Sequence, residues 1–197
     1  MSVNQVDLLF DFFHHLTGLE RSEYEQFIEI TQKVDIAKGE LFLSPDDGPN
    51  KMGIVLTGCL KSYFLTFEGA HHNRAFLATH DITASLGSVE LEYSPDLFVE
   101  AITDSSLLRF FYKDLQDLAS KSQPIQNLAY KLLELEFIKN EKKEYHFSTK
   151  SLDENFKIIN SELDKRGLVI KQKDIANYLG ITDIAYSRIK KRLNGSN

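Results

Sequence analysis

The residues best suited to chemistry lie in one short stretch, residues 172–193, where basic and polar side chains cluster. Arg188 and its basic neighbours carry guanidinium and ammonium groups, which bind the phosphates and base edges of nucleic acid. No pairing of a nucleophile with a base is evident in the chain, and neither is a glycine loop of the kind that holds a phosphate. The sequence therefore predicts recognition of DNA and no enzymatic activity.

The same stretch has the spacing of two short helices joined by a tight turn. Ile175 and Leu179 lie four apart on one face of a first helix, and Gly180 follows where the chain must turn. Thr182 is a good N-cap for a second helix, and Ile189 then faces back towards the first. This pattern predicts a helix-turn-helix. An ordinary helical hairpin is the alternative, and the basic charge of the second helix counts against it.

The outward positions of the second helix are the candidates for DNA contact. Arg188 is the strongest candidate for base readout, because its guanidinium can bridge O6 and N7 of guanine, worth about 1–3 kcal/mol of discrimination. Asp183 either accepts a bond from a cytosine amine or acts as a favourable charge at a helix N-terminus. Ile184 either touches a thymine methyl or is simply exposed. The remaining candidates are Thr182 and Ser187 and, for phosphate contact, Lys171, Lys173, Lys190, Lys191 and Arg192.

The charge of the chain is unevenly distributed. A net charge of −6 argues against nucleic acid when the chain is taken whole. However, residues 1–120 carry 8 Lys and Arg against 19 Asp and Glu, whereas residues 121–197 carry 15 against 10. Because the field near a surface is set by local charge, a basic part can bind phosphate beside an acidic body. The modest basic excess predicts weak non-specific binding that falls steeply with salt.

The composition of the chain limits which cofactors it can hold and indicates its cellular compartment. Cys59 is the only cysteine, which excludes an internal disulfide and any four-cysteine zinc or iron–sulfur site. No apolar run approaches the roughly 18 residues of a membrane span, and the acidic N-terminus is unlike a signal peptide. Adjacent His71 and His72 point to opposite faces of a strand and do not form a metal site. We therefore expect no metal, no other cofactor, no membrane partner and a cytoplasmic location.

The first part of the chain predicts helices followed by a β-rich region. Apolar spacing predicts helices over residues 6–31, with a break at Gly18. Between Val34 and Phe111, short apolar runs alternate with turn residues, which is typical of an antiparallel barrel or roll. The predicted strands are residues 34–37, 41–43, 52–56, 59–67, 72–77, 97–102 and 107–111.

Pro124 opens a long predicted helix. An apolar seam stepping three, four and three residues follows, formed by Ile125, Leu128, Leu132 and Leu135 and flanked by Tyr130, Leu133 and Phe137. This spacing is that of a coiled coil at a dimer axis, and a helix packed on its own domain is the alternative. Polar residues 145–150 predict a hinge. Ser151 and Glu154 then form a capping box that starts another helix.

These elements, in this order, resemble the Crp/Fnr family of bacterial transcription regulators over nearly the whole chain. Residues 175–182 and 187–189 are similar to the family signature around its DNA-reading helix, and residues 38–40, 54–58 and 68–69 to turns of a cyclic-nucleotide-binding domain. The resemblance implies an α+β fold. It places an antiparallel β-roll sensor with flanking helices over 1–121, a long dimerisation helix over 122–145, and an all-α helix-turn-helix domain over 146–197. The C-terminal wing of many relatives is not expected.

The resemblance also implies where a ligand would bind. In relatives that bind cyclic AMP, a Gly-Glu pair meets the ribose and an Arg-Ser or Arg-Thr pair meets the phosphate. Pro95 and Asp96 fall where that second pair should be, so a phosphate would lack its counter-charge. We expect no cyclic-nucleotide binding. A different small-molecule effector and an empty roll both stay open, with Glu90, Arg74 and His72 as candidate lining residues.

The sequence thus predicts a homodimeric transcription regulator that binds double-stranded DNA. Two recognition helices would lie about one DNA turn apart on a near-palindrome. The resemblance adds RNA polymerase as a partner. The alternative is a small-molecule sensor or interaction module that acts through a protein partner with little DNA binding, and the sparse basic charge supports it.

Overall fold

The computed structural model describes residues 5–47, 50–84 and 97–194. In these ranges two α-helices precede eight strands, five α-helices follow them, and a short 3₁₀ helix (Pro45–Asp47) lies between the second and third strands. The helices are α1 (Gln5–Thr17), α2 (Arg21–Glu29), α3 (Tyr112–Ala119), α4 (Gln123–Thr149), α5 (Leu152–Lys165), α6 (Gln172–Tyr178) and α7 (Asp183–Asn194). The strands are β1 (Gln32–Ile36), β2 (Leu41–Leu43), β3 (Lys51–Thr57), β4 (Leu60–Leu65), β5 (His71–Leu77), β6 (Ile82–Ala84), β7 (Leu97–Ala101) and β8 (Ser105–Phe111). None of these helices combines the length and the apolar character needed to cross a bilayer.

The strands form two antiparallel four-stranded sheets that enclose an apolar core. Their orders are β1-β8-β3-β6 and β2-β7-β4-β5. Phe42, Val55 and Val99 are almost completely buried between them. Gly58 joins β3 to β4 with φ of +90°, and a Cβ there would collide with Ser105, so this turn requires glycine. The predicted α+β fold with an antiparallel roll is confirmed.

Every predicted strand is present, with its ends within two residues of the prediction. Two short elements were missed. β6 has three residues and pairs with β3, with Met52 opposite Ala84. α3 follows β8 directly and buries only Leu115 completely. Both are too short for an apolar period to be recognised along the chain.

The predicted hinge over residues 145–150 is wrong for most of its length, because α4 continues to Thr149. Thr149 Oγ1 donates to the carbonyl of Tyr145 at 2.6 Å, and the Lys150 amide donates to the carbonyl of His146 at 3.0 Å. Residues 145–150 contain neither Gly nor Pro, the two residues that most disfavour a helix, so nothing in the stretch interrupts α4 before Thr149. The extended backbone is confined to Lys150 and Ser151.

The apolar seam of α4 faces its own protomer. Ile125, Leu128 and Leu132 are 0–3% exposed and share one core with side chains of α1 such as Phe13. Their assignment to a dimer axis is therefore wrong, because they already fill the core between α4, α1 and the roll. Leu135 is only half-buried. The alternative, a helix packed on its own domain, is confirmed for this face.

Candidate DNA-binding surface

The C-terminal module begins with a well-capped helix. Ser151 precedes α5, and its Oγ accepts a bond from the Glu154 amide at 3.3 Å. Glu154 Oε2 in turn accepts from the Ser151 amide at 2.9 Å. The predicted capping box is confirmed, and it fixes where the chain turns away from α4.

The turn between α6 and α7 has the geometry that its residue types predict. Gly180 takes φ of +70°, and its amide donates to the carbonyl of Asn177 at 3.0 Å. The Ile181 amide donates to the carbonyl of Ala176, also at 3.0 Å. Thr182 Oγ1 then accepts from the Ala185 amide at 3.2 Å, which caps α7. The glycine turn and the threonine cap are both confirmed.

Tyr186 is the centre of the small core that holds α7 in place. The side chain is 2% exposed, and its ring lies 4.7 Å from the ring of Phe156 on α5. Its hydroxyl donates to Asn160 Oδ1 at 2.8 Å. Burial raises the pKa of Tyr186, so the phenol stays a hydrogen-bond donor. Sequence reasoning missed this residue, although its position three before Ile189 was a usable signal.

The candidate readout residues share the opposite side of α7. Ile184 is 66% exposed, and Ser187, Arg188 and Lys191 are exposed on the same side of the helix. Asp183 is exposed in the first turn. We refer to the strip formed by Asp183, Ile184, Ser187, Arg188 and Lys191 as the reading face. It lies outside the module core, and none of the described segments of the protomer covers it.

The phosphate candidates divide into two groups. Lys171 and Lys173 flank the start of α6 and are exposed, and Lys190 is exposed on α7. Arg192 is different, because its guanidinium forms an ion pair with Asp153 of α5. Arg192 therefore braces α7 against α5 in this structure.

The first helix of the motif is attached to the roll, which the sequence did not predict. Asn177 Oδ1 accepts from the Asn73 amide of β5 at 2.6 Å, and its Nδ2 donates to the carbonyl of His71 at 2.7 Å. Asn73 Nδ2 donates to the carbonyl of Asp174 at 2.9 Å. An asparagine side chain thus pairs with an edge strand as another strand would.

Asp81 provides a second attachment between the roll and the module. It forms ion pairs with Lys139 of α4, at 2.6 Å, and with Arg166 at the end of α5. Burial alone would raise the pKa of Asp81, but the two cations outweigh it and hold the pKa below its ordinary value. We refer to the two attachments, Asn73 with Asn177 and Asp81 with Arg166, as the clamp.

A cavity of about 560 Å³ lies between the roll, α3 and α4, and we call it the roll cavity. Its described lining is mainly apolar, with Met52, Ile82 and Leu115 among the lining residues. Arg74, one of the predicted lining residues, lines this cavity, whereas His72 is exposed on β5 and does not. The other predicted positions, Glu90, Pro95 and Asp96, lie outside the described residues.

Comparison with known proteins agrees with this architecture. The fumarate and nitrate reduction regulatory protein of Vibrio cholerae is 25% identical over 190 residues, covering 90% of this chain and 75% of that protein. Among solved structures, FixK2 from Bradyrhizobium japonicum has a TM-score of 0.70 at 23% identity, covering 84% of this chain and 85% of its own.

A transcriptional regulator of the crp/fnr family from Eubacterium rectale has a TM-score of 0.70 at 20% identity, covering 90% of this chain and 86% of its own. No protein-family model matches the chain. The resemblance inferred from the motifs is nevertheless confirmed by the similar regulators and the similar folds. The chain is thus similar in sequence to fumarate and nitrate reduction regulatory proteins, and it has the fold of solved Crp/Fnr-type regulators.

Proposed function

We propose that the chain acts as a homodimer that recognises a specific DNA sequence through α7. One observation carries the proposal: the reading face is exposed along α7 while the other side of the helix, with Tyr186 and Ile189, is buried in the module. A helix held by one side, with polar and basic residues on the other, is what entry into a major groove requires.

Within the reading face, the residues have different roles. Arg188 is the proposed base reader, because none of the ion pairs among the described residues occupies its guanidinium. Lys191, Lys190, Lys173 and Lys171 are proposed phosphate contacts. Asp183, Ile184 and Ser187 lie on the same face as Arg188 and are proposed to influence which base Arg188 contacts. Thr182 and Arg192 are proposed to act on DNA only through their structural roles, as a cap and a brace.

Selection of bound fragments from random genomic DNA tests the proposal. We expect enrichment of a near-palindrome whose half-sites lie about 10 base pairs apart, one for each protomer. Fragments no more enriched than the input would overturn the proposal. That outcome would favour the alternative, a sensor or interaction module acting through a protein partner.

The dimer contact is proposed on a different face of α4 from the apolar seam. Tyr130 and Phe137 are 65% and 68% exposed and lie seven residues apart on one line of the helix, and Tyr145 continues that side at 58%. A heptad step keeps two residues facing the same partner helix. Since Ile125, Leu128 and Leu132 fill their own core, these aromatic residues are the proposed contact with a second copy.

A charge placed on this face tests the dimer. Phe137→Asp should shift the protein towards monomer in sedimentation velocity, because two carboxylates would meet across the axis. Phe67→Asp is the matched control, since Phe67 is fully exposed on the β4–β5 hairpin, away from α4. A monomeric wild type, or equal dimerisation of Phe137→Asp and wild type, would contradict the assignment.

The roll cavity is the proposed place for an effector. Its apolar lining fits a small molecule with an apolar body, and Arg74 offers one cation to a polar group. We retain the prediction that cyclic AMP is not the effector. Adding cyclic AMP should leave DNA affinity unchanged in a titration, and a saturable rise in affinity would overturn this. RNA polymerase is a proposed partner by resemblance alone.

A further inference from the structure

A second cavity lies where three parts of the molecule meet. It measures about 380 Å³ and lies between β5, the last half of α4, and α5 and α6 of the C-terminal module. We call it the junction cavity. Arg74, Glu136 and Asn140 line both cavities, so the two share a wall. Nothing in the proposed DNA recognition uses this space.

The lining of the junction cavity is strongly cationic. Among its described residues, six Lys and Arg stand against three carboxylates. Two of the carboxylates are already paired: Asp81 with Lys139 and Arg166, and Glu136 with Lys139. A surplus of positive charge therefore faces the cavity from α4 and from β5.

Lys143 and Arg74 carry this surplus. Lys143 Nζ donates to the backbone carbonyl of Arg74 at 2.7 Å and lies 4.6 Å from the ring centroid of Tyr178. Arg74 donates to Asn140 Oδ1 at 3.2 Å. Their bonds are thus to neutral oxygens, and no ion pair among the described residues includes either one.

Holding these two cations together has an energetic cost. Desolvation, and then repulsion from Arg74, lowers the pKa of Lys143 to about 8. Carboxylates normally balance such a pair, but among the described residues none forms an ion pair with either cation, and Glu162, the third carboxylate of the lining, lies on α5. An anion bound between the two side chains would supply the missing charge and form charge-assisted hydrogen bonds with both.

The lining of the junction cavity also contains apolar and aromatic side chains. They are Ile159 and Leu163 of α5, Tyr178 of α6 and Phe76 of β5. Cavities of a few hundred cubic ångströms with an apolar wall and a few convergent polar groups typically hold small molecules. A ligand here would therefore combine an anionic group with an apolar body.

We propose that the junction cavity binds a small organic phosphate, with the phosphate between Lys143 and Arg74 and the apolar body against Ile159, Leu163 and Tyr178. Because the walls belong to the roll, to α4 and to the C-terminal module, the cavity exists only while the clamp is closed. The bound ligand stabilises that arrangement and so links the roll to the orientation of α7.

Calorimetric titration of the full-length chain in the absence of DNA tests the site, so its outcome is independent of DNA recognition. Phenyl phosphate is the probe, inorganic phosphate tests the anion alone, and phenol at the same ionic strength tests the apolar body alone. We expect phenyl phosphate to bind more tightly than inorganic phosphate, with phenol showing no saturable binding. Tighter binding of phenol than of phenyl phosphate would overturn the proposal, because the cations would then have no role.

Variants that remove a charge test whether phenyl phosphate binds between Lys143 and Arg74. Lys143→Gln and Arg74→Gln should each weaken phenyl phosphate about tenfold or more, as expected when a charge-assisted bond is lost. Lys113→Gln is the matched control, since Lys113 is exposed on α3 and lines neither cavity. It should bind within about twofold of wild type, because a distant exposed charge is screened.

The same variants exclude loss of fold as the explanation. Without ligand, Lys143→Gln should melt at or above the wild-type temperature, because a desolvated and repelled charge has been removed. Lys143→Arg keeps the charge and should keep most of the affinity. Two results would overturn the proposal: no saturable binding of phenyl phosphate up to about 1 mM, or equal affinity of wild type and Lys143→Gln for it.

Discussion

The two helices of the helix-turn-helix, α6 and α7, are consecutive and pack in similar ways, but their outward sides differ in exposure. The outward side of α6 is attached to β5 through Asn177 and Asp174, and Lys61 forms an ion pair with Asp174 at 3.4 Å. The outward side of α7, the reading face, is exposed. Both helices bury their inward sides in the same core.

This difference assigns the two helices separate roles: α6 attaches the module to the roll, and α7 is left available for the proposed DNA contact. The roll holds the module by its first helix, so the second helix is positioned without being covered. A change in the roll can therefore reach α7 through α6 and through the end of α5, because these are the segments that the clamp holds. Substitutions in the shared core should lower the stability of both helices. Substitutions in the clamp should weaken the attachment of the module to the roll, and substitutions on the reading face should change DNA affinity alone.

The largest effect is expected from the shared core. Tyr186→Ala removes a ring that is 2% exposed and leaves Asn160 Oδ1 without the hydroxyl that donates to it, so it should destabilise the module by about 3–5 kcal/mol. Urea unfolding followed by circular dichroism measures it. Ser187→Ala, the exposed neighbour, should change stability by less than about 0.5 kcal/mol. Equal stability of both variants would show that α7 is not held by this core.

A smaller effect is expected from the first attachment of the clamp. Asn177→Ala leaves the Asn73 amide and the His71 carbonyl without their partners, so it should cost about 1–3 kcal/mol. Hydrogen exchange should show faster exchange in β5 and α6. Arg188→Ala, the matching truncation on α7, should leave exchange unchanged. Unchanged exchange in Asn177→Ala would mean that the module is held by other contacts.

The second attachment should respond to acid. Since the folded pKa of Asp81 lies below its ordinary value, its carboxylate stabilises the fold fully above about pH 4. That contribution is lost as the pH falls through the lower folded value. Lys139 and Arg166 are partly exposed, so solvent screens their ion pairs with Asp81. Asp81→Asn should therefore lower the unfolding free energy by about 1 kcal/mol at pH 7. Unfolding free energies measured from pH 7 to 2 should converge for the two proteins, and a constant difference would contradict this.

Local interactions explain what the sequence predicted well. The Ser151–Glu154 box, the turn at Gly180 and the Thr182 cap each involve residues within a few positions of one another, so their residue types determine their geometry. The exposed reading face follows from the same helical period. The strands were predictable because turn residues separate their apolar runs.

Contacts between distant segments could not be predicted in the same way. The α4 seam has the same spacing whether it meets a partner or its own domain, and only the packed structure shows that Leu128 faces inward. The clamp joins Asn73 to Asn177 and Asp81 to Arg166, residues about a hundred positions apart. Nothing in the sequence near Asn73 or Asp81 indicates those partners.

The most direct test of the account compares Arg188→Ala with Lys191→Ala on selected and unrelated DNA at one salt concentration. If Arg188 reads a base, its loss should reduce the ratio of specific to non-specific affinity by roughly 5- to 150-fold, the equivalent of about 1–3 kcal/mol. Lys191→Ala should weaken both DNAs alike and leave that ratio within about twofold. An Arg188→Ala protein that keeps the full wild-type ratio would contradict the assignment of α7 as the reading helix.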